Sequence, residues 1–374
     1  MQRSILRYLP LAFLGVLLCL MAMAQTQSST PPKADPPKQT APQTPAGKQQ
    51  ETTPTFTSTA EEVVLAVTVR QPKTGKFISN LTAADFRVLD EGKPQRIKVF
   101  SHTEKQPIVV GFLVDQSSDV RIHWDKFRDA IKELIWTLLP GTPQYSGYLI
   151  QYNTKAELLV NTTSDSDKLS EAVDKMKPSV GAALFDAIYR ACMDRSLVTG
   201  EPYEPRRIII IVGEGRDNAS EKTLGEVLEL AKRKQVTIYG MSTMSFGMDN
   251  PDQDTLERLA FETGGHVEYP LNNLYRDVSG YLSQPSDDGN YALTVGSGAY
   301  KSEISAGIVR AVEGLVGEIT TQYVIRYVPD IDPKTAGLDF RRIKVEIPTL
   351  SGTGTRAVTR DGYYPNPVRN NTAQ

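Results

Sequence analysis

The chain has 374 residues, with 42 Lys and Arg against 44 Asp and Glu, a formal charge of −2, and two cysteines. A balance this close to neutral offers no basic face for phosphates, so nucleic acid is not an expected partner. Two thiols cannot make a disulfide framework, and stability must come from a large buried core.

Residues 1–24 read as a cleavable export signal: Arg3 and Arg7 precede an apolar run over 9–23, and Ala22-Met23-Ala24 stands before Gln25. The run is shorter than the about 20 apolar residues of a spanning helix, so no transmembrane segment is expected in the mature chain. Leu18 is too bulky beside Cys19 for the usual lipidation site. Loss of the two arginines takes the formal charge to −4 and leaves Cys192 as the one remaining thiol. The expected location is the periplasm, the cell envelope or the medium. Residues 25–58, rich in Pro, Thr and Gln, hold almost no large apolar side chains and read as a disordered linker.

From 59 to 104 the pattern changes to short alternating runs at 63–69, 86–89 and 97–100, with turn chemistry at Asp90-Glu91-Gly92-Lys93. This predicts an N-terminal β subdomain. Residues 105–283 then alternate strand and helix signals. The run 108–114 is apolar throughout and ends in Asp115, as a strand buried on both faces requires. A helix follows over 124–139, with Trp136 assigned to the core, and Pro140-Gly141 stops it. Strands at 148–152, 157–160, 208–212, 237–241 and 266–269 alternate with helices at 167–176, 183–197, 223–234 and 256–262. The predicted fold is α/β: a doubly wound, mostly parallel sheet with helices on both faces, plus flanking β-strands. Residues 284–302 form an insert or loop, 303–365 add a helix and strands at 322–328 and 342–347, and 366–374 read as a disordered tail.

Ligands of such sheets bind beyond the carboxyl ends of the strands. The first loop there is Asp115-Gln116-Ser117-Ser118-Asp119. A carboxylate and a hydroxyl two residues apart either supply hard oxygens to Mg²⁺ or another divalent cation, or cap the helix that follows; the residues leave both open. The second is Gly213-Glu214-Gly215-Arg216-Asp217-Asn218. Its glycines suit a turn, and Asn218 replaces the third glycine of a dinucleotide fingerprint. Glu214 is a candidate second carboxylate for the same cation.

The run from Val109 into Asp115-Gln116-Ser117, the stretch Gly181-Ala182-Ala183-Leu184-Phe185-Asp186-Ala187 and residues 209–218 together resemble a von Willebrand factor type A domain. The flanks, Leu81-Thr82-Ala83-Ala84-Asp85-Phe86 at one end and Arg360-Asp361-Gly362-Tyr363-Tyr364 at the other, resemble related bacterial proteins of the Acidobacteria type. The resemblance implies a metal-ion-dependent adhesion site made from an Asp-x-Ser-x-Ser loop, a threonine and an aspartate. Asp115 and Ser117 match it. Asp119 replaces the last serine, Ala182 stands at the threonine position unless the loop slips to present Ser179, and Glu214 replaces the aspartate. The implied metal set is therefore Asp115, Ser117, Asp119 and Glu214.

No catalytic residue is expected. His102, His123 and His266 lack ligand spacing, no Gly-x-Ser-x-Gly elbow occurs, and Cys192 lies in a predicted helix, where a buried inert thiol is the default. The function expected is an exported, non-enzymatic binding or adhesion module for a protein partner, its adhesion site altered. The rivals are a metal-dependent hydrolase using Asp115, Asp119 and Glu214, and a purely structural envelope scaffold.

Overall fold

The computed structural model describes residues 62–71, 74–102, 107–117, 120, 123–197, 205–244, 251–271, 297–330 and 339–365. The proposed signal, linker, insert and tail, and Asp119, lie outside these residues, save that the helix after the insert already begins at Ser297.

The central sheet has six strands in the order β10-β9-β8-β5-β6-β7. They are β5 (Ile108–Asp115), β6 (Tyr145–Tyr152), β7 (Ala156–Thr163), β8 (Arg206–Val212), β9 (Val236–Met241) and β10 (Val267–Glu268). Every residue of β5 is buried, as its unbroken apolar run requires of a strand covered on both faces. All the pairings are parallel except β6 with β7. Only Asn153, Thr154 and Lys155 join those two strands, too short a connection for a crossover, so β7 turns back as an antiparallel edge.

Helices α1 (Trp124–Leu138), α2 (Ser166–Lys175) and α6 (Ser297–Thr320) share one apolar core with one face of the sheet. On the other face lie α3 (Leu184–Met193), α4 (Leu224–Arg233) and α5 (Pro251–Thr263). Local chemistry fixes several ends. Asp165 caps α2 through the N–H groups of Asp167 and Lys168, and Thr223 and Glu226 close a capping box on α4. On α1 the buried stripe runs Trp124, Phe127, Ala130, Ile131, Leu134, Ile135 and Leu138. Trp136 falls outside that stripe and is 45% exposed, which corrects its assignment to the core. Two positions past Leu134 is about 200° around the helix, and Trp136 instead carries Lys132 Nζ 5.5 Å from its ring centre. No helix among the described residues is long and apolar enough to cross a membrane.

Two four-stranded antiparallel sheets form the rest: β13-β1-β11-β4 and β14-β12-β2-β3. Their strands are β1 (Val63–Arg70), β2 (Arg87–Asp90), β3 (Lys93–Gln95), β4 (Val99–His102), β11 (Tyr323–Tyr327), β12 (Arg341–Glu346), β13 (Arg356–Val358) and β14 (Gly362–Tyr363). Because β1 pairs with β11 and β13, and β2 with β12, segments from both sides of the central sheet share one sandwich core. The turn at Glu91 and Gly92, both at positive φ, closes β2 at once onto β3.

Candidate functional site: the strand-end crevice

In the sheet order β8-β5-β6 the chain winds outward in opposite directions from β5, so the crevice beyond Asp115 sits at the switch point of the topology. Three loops meet there. Ser179 N–H donates to the Gln116 carbonyl at 2.5 Å, and Lys177 N–H donates to Gln116 Oε1 at 3.3 Å. Ala182 N–H donates to Asn218 Oδ1 at 2.9 Å, and its carbonyl accepts from the Asn218 and Ala219 N–H groups. Position 182 is thus pinned as an alanine, fully buried, with no oxygen to offer beyond its own backbone.

Asp115 is 1% exposed and Ser117 4%. Asp115 Oδ1 accepts the Ser117 N–H at 2.6 Å, which folds the loop back on the carboxylate. The Ser117 hydroxyl, buried beside it, has no hydrogen-bond partner among the described residues.

Tyr152, at the end of β6, was not singled out by its sequence position, yet its buried hydroxyl enters the same recess and also lacks a partner among the described residues. A Cβ built on Gly213 would lie 2.5 Å from this hydroxyl and 2.9 Å from Asp115 Oδ2. Only glycine leaves that space to the phenol and the carboxylate. Burial pushes the Tyr152 phenol well above its ordinary value, and the Asp115, Asp217 and Glu214 carboxylates push it further. Asp115 shares the recess with this hydroxyl, while the charges of Asp217 and of the half-buried Glu214 act on it from nearby.

Asp217 is the acid that the spacing of the second loop did not single out. Its Oδ2 accepts Phe185 N–H at 2.9 Å and the Ser220 hydroxyl at 2.5 Å, while Ser220 Oγ accepts Asp186 N–H at 3.0 Å. The N-cap of α3, Ala183, has no side-chain oxygen, so the second loop caps this helix from outside. The run Asp217-Asn218-Ala219-Ser220 carries such capping residues, but nothing local says which helix they cap.

Asp115 and Ser117 supply oxygens of the kind a hard cation takes, and Ala182 does not. Among the described residues, no three His, Cys, Asp or Glu side chains are grouped to hold a metal ion. The crevice does not make a closed cation cage from what is described. Elsewhere, Cys192 is buried and burial pushes its thiol up to about 12, as an inert core cysteine requires.

Comparison with known proteins adds a family. Residues 110–275 match the model of the von Willebrand factor type A domain. No curated protein sequence matches the chain. Among solved structures it is similar to proximal thread matrix protein 1 of the mussel byssus, there with a zinc-occupied MIDAS motif (16% identity, 45% of this chain and 42% of that one, TM-score 0.38). It is also similar to the conserved hypothetical protein BatB from Bacteroides thetaiotaomicron (14% identity, 52% of this chain and 99% of that one, TM-score 0.34). A third similar structure is a von Willebrand factor type A protein from Catenulispora acidiphila (15% identity, 68% of this chain and 52% of that one, TM-score 0.38). The chain spans 41% of the mussel protein in a second crystal form, less than half its length.

Proposed function

Residues 110–275 are a von Willebrand factor type A domain, and we propose that the chain is an exported, non-enzymatic module that binds a protein partner through the strand-end face around Asp115. Domains of this type commonly mediate protein interaction or adhesion and are generally not enzymes. The observation that carries the reading is the braced crevice itself. Loops after β5 and β8 and the loop before α3 are tied to one another at Gln116, Ala182, Asn218 and Asp217. A surface held in this way loses little freedom when a partner docks. Beside it Val180 stands 62% exposed, an apolar contact point next to the acidic recess.

The cation that such domains often bind has a reduced role here. Mg²⁺ or another divalent ion is held weakly by Asp115, Ser117, Asp119 and Glu214, with water taking the place that Ala182 leaves without an oxygen. Partner affinity then rests chiefly on the face and only secondarily on the metal. The arginines and apolar run of residues 1–24 support export, and the formal charge of −2 speaks against a nucleic-acid partner.

A photo-crosslinking residue placed at Val180 tests the reading in envelope extracts. It should trap one discrete protein adduct that the same residue at Val309, exposed on α6, does not. No adduct at Val180, or equal trapping at both positions, overturns the proposed face. Calorimetric titration with Mg²⁺ and Mn²⁺ should show weak binding that Asp115→Ala abolishes; a wild-type protein that binds neither ion removes the cation from the reading.

A further inference from the structure

The C-terminal end of α4 and the sheet β14-β12-β2-β3 border an open cleft of about 680 Å³. This lies within the roughly 300–1,000 Å³ typical of small-molecule sites. The sheet presents Leu89 from β2 and, in register with it, Lys344 from β12, with Arg342 two residues earlier on the same exposed side of the strand. The opposing wall holds Lys232 and Phe340. Lys232, Arg342 and Lys344 line the cleft with one acid, Asp361, while Glu91, Glu262 and Glu346 meet these same three residues from outside the lining.

The three cations are not equally committed. Lys232 Nζ lies 2.8 Å from Glu262 Oε2, 3.5 Å from Asp361 Oδ2 and 4.7 Å from the centre of the Phe340 ring, and so serves as a fixed wall. Lys344 meets Glu346 at 2.8 Å, but its side chain is 71% exposed, and an exposed pair of this kind is worth at most about 1 kcal/mol. Arg342 uses its backbone N–H on Glu91 Oε1, while its exposed guanidinium makes no ion pair or hydrogen bond among the described residues. The aromatic wall is held in place: Phe340 packs edge-on against Tyr364 at 5.1 Å, and Arg233 covers Tyr364 at 4.0 Å.

We propose that this cleft binds a small organic anion, a carboxylate on a flat apolar body. The body lies against Leu89 and Phe340, and the Arg342 guanidinium takes the carboxylate through its two-pronged donor face, with Lys344 released from Glu346 to join it. The site is independent of the strand-end face and of any cation there.

Calorimetry with naphthoate and its neutral analogue naphthylmethanol tests the assignment on the whole mature protein. Naphthoate should bind saturably at one site, at least about tenfold tighter than naphthylmethanol, each tenfold being about 1.4 kcal/mol. The double variant Arg342→Ala, Lys344→Ala should lose that preference, and Phe340→Ala should weaken both ligands. Both cations are exposed, so the double variant should keep the wild-type melting temperature. Absence of saturable naphthoate binding, or undiminished binding by a folded double variant, overturns the proposal. Displacement of naphthoate by polyglutamate at lower concentrations than by free glutamate overturns the small-ligand assignment in favour of an acidic polypeptide.

Discussion

Asp217 Oδ2 accepts the Phe185 N–H at 2.9 Å across 32 residues of sequence, so the loop after β8 supplies the cap that α3 lacks at Ala183. Replacing the acid leaves the Phe185 N–H without its acceptor and releases the Ser220 hydroxyl that holds the Asp186 N–H. Asp217→Ala should cost about 1–2 kcal/mol in urea denaturation. Amide exchange at Phe185 and Asp186 should speed up in the same variant. Unchanged protection there would show that the bond contributes nothing to the helix.

Gly213 is required by what stands opposite it. A methyl group at this position would fall 2.5 Å from the Tyr152 hydroxyl and 2.7 Å from Asp115 Cβ. Gly213→Ala should destabilise by about 1–3 kcal/mol, the usual range for overpacking. Tyr152→Phe removes a buried hydroxyl that has no partner among the described residues and should be close to neutral alone. Combined with Gly213→Ala it should recover part of the loss, a non-additivity that a double-mutant cycle reads directly.

Asp90 joins the two sheets of the sandwich. Its Oδ1 accepts Arg341 Nε at 3.0 Å and Nη2 at 2.7 Å, and its Oδ2 accepts the hydroxyls of Tyr327 at 3.0 Å and Tyr363 at 2.9 Å. The carboxylate is fully buried, so its loss leaves the hydroxyls of Tyr327 and Tyr363 without their buried acceptor and the half-buried Arg341 guanidinium without its ion pair. Asp90→Ala should cost about 3–5 kcal/mol by chemical denaturation. A loss below about 1 kcal/mol would mean that the four donors find other acceptors.

His266 links β10 to α6 and should give the protein an alkaline limit. Burial disfavours the charged ring, but the hydrogen bond to Glu268 at 2.7 Å and the contact of Nδ1 with Glu318 at 2.8 Å outweigh it, despite Arg70 Nη2 at 3.4 Å, and raise the imidazole to about 9. In the unfolded chain the ring loses its proton near its ordinary 6.5. The stabilisation is therefore complete below about pH 6.5 and fades as pH rises through about 9, with a slope approaching about 1.4 kcal/mol per pH unit between them. His266→Gln should flatten this part of the stability profile. An equally steep decline in the variant would assign it to other groups.

The alternation of strands and helices was readable because each central element is amphipathic or apolar in its own sequence. The run ending in Asp115 became β5 with all of its residues buried, and the apolar stripe of α1 lies where its 3.6-residue period puts it. Hydrophobicity alone places Trp136 in the core, but its angle on α1 turns it to solvent. The predicted strand at 97–100 lies at Val99–His102, paired with β11, since the turn after β2 is spent on the short β3 instead.

The sequence by itself determined the α/β class, the place of Asp115 and Ser117 directly after the first buried strand, and the missing side-chain oxygen at Ala182, because each is a property of local residue order. Only the tertiary structure decided that Tyr152 and Gly213 share one recess with Asp115, and that Arg342 and Lys344 face Lys232 and Phe340. Those meetings depend on how strands order themselves in the sheets and how loops are tied across them. A side chain far along the chain decides what an acid does: Asp217 is a helix cap because Phe185 stands opposite it, not because of anything beside it in sequence.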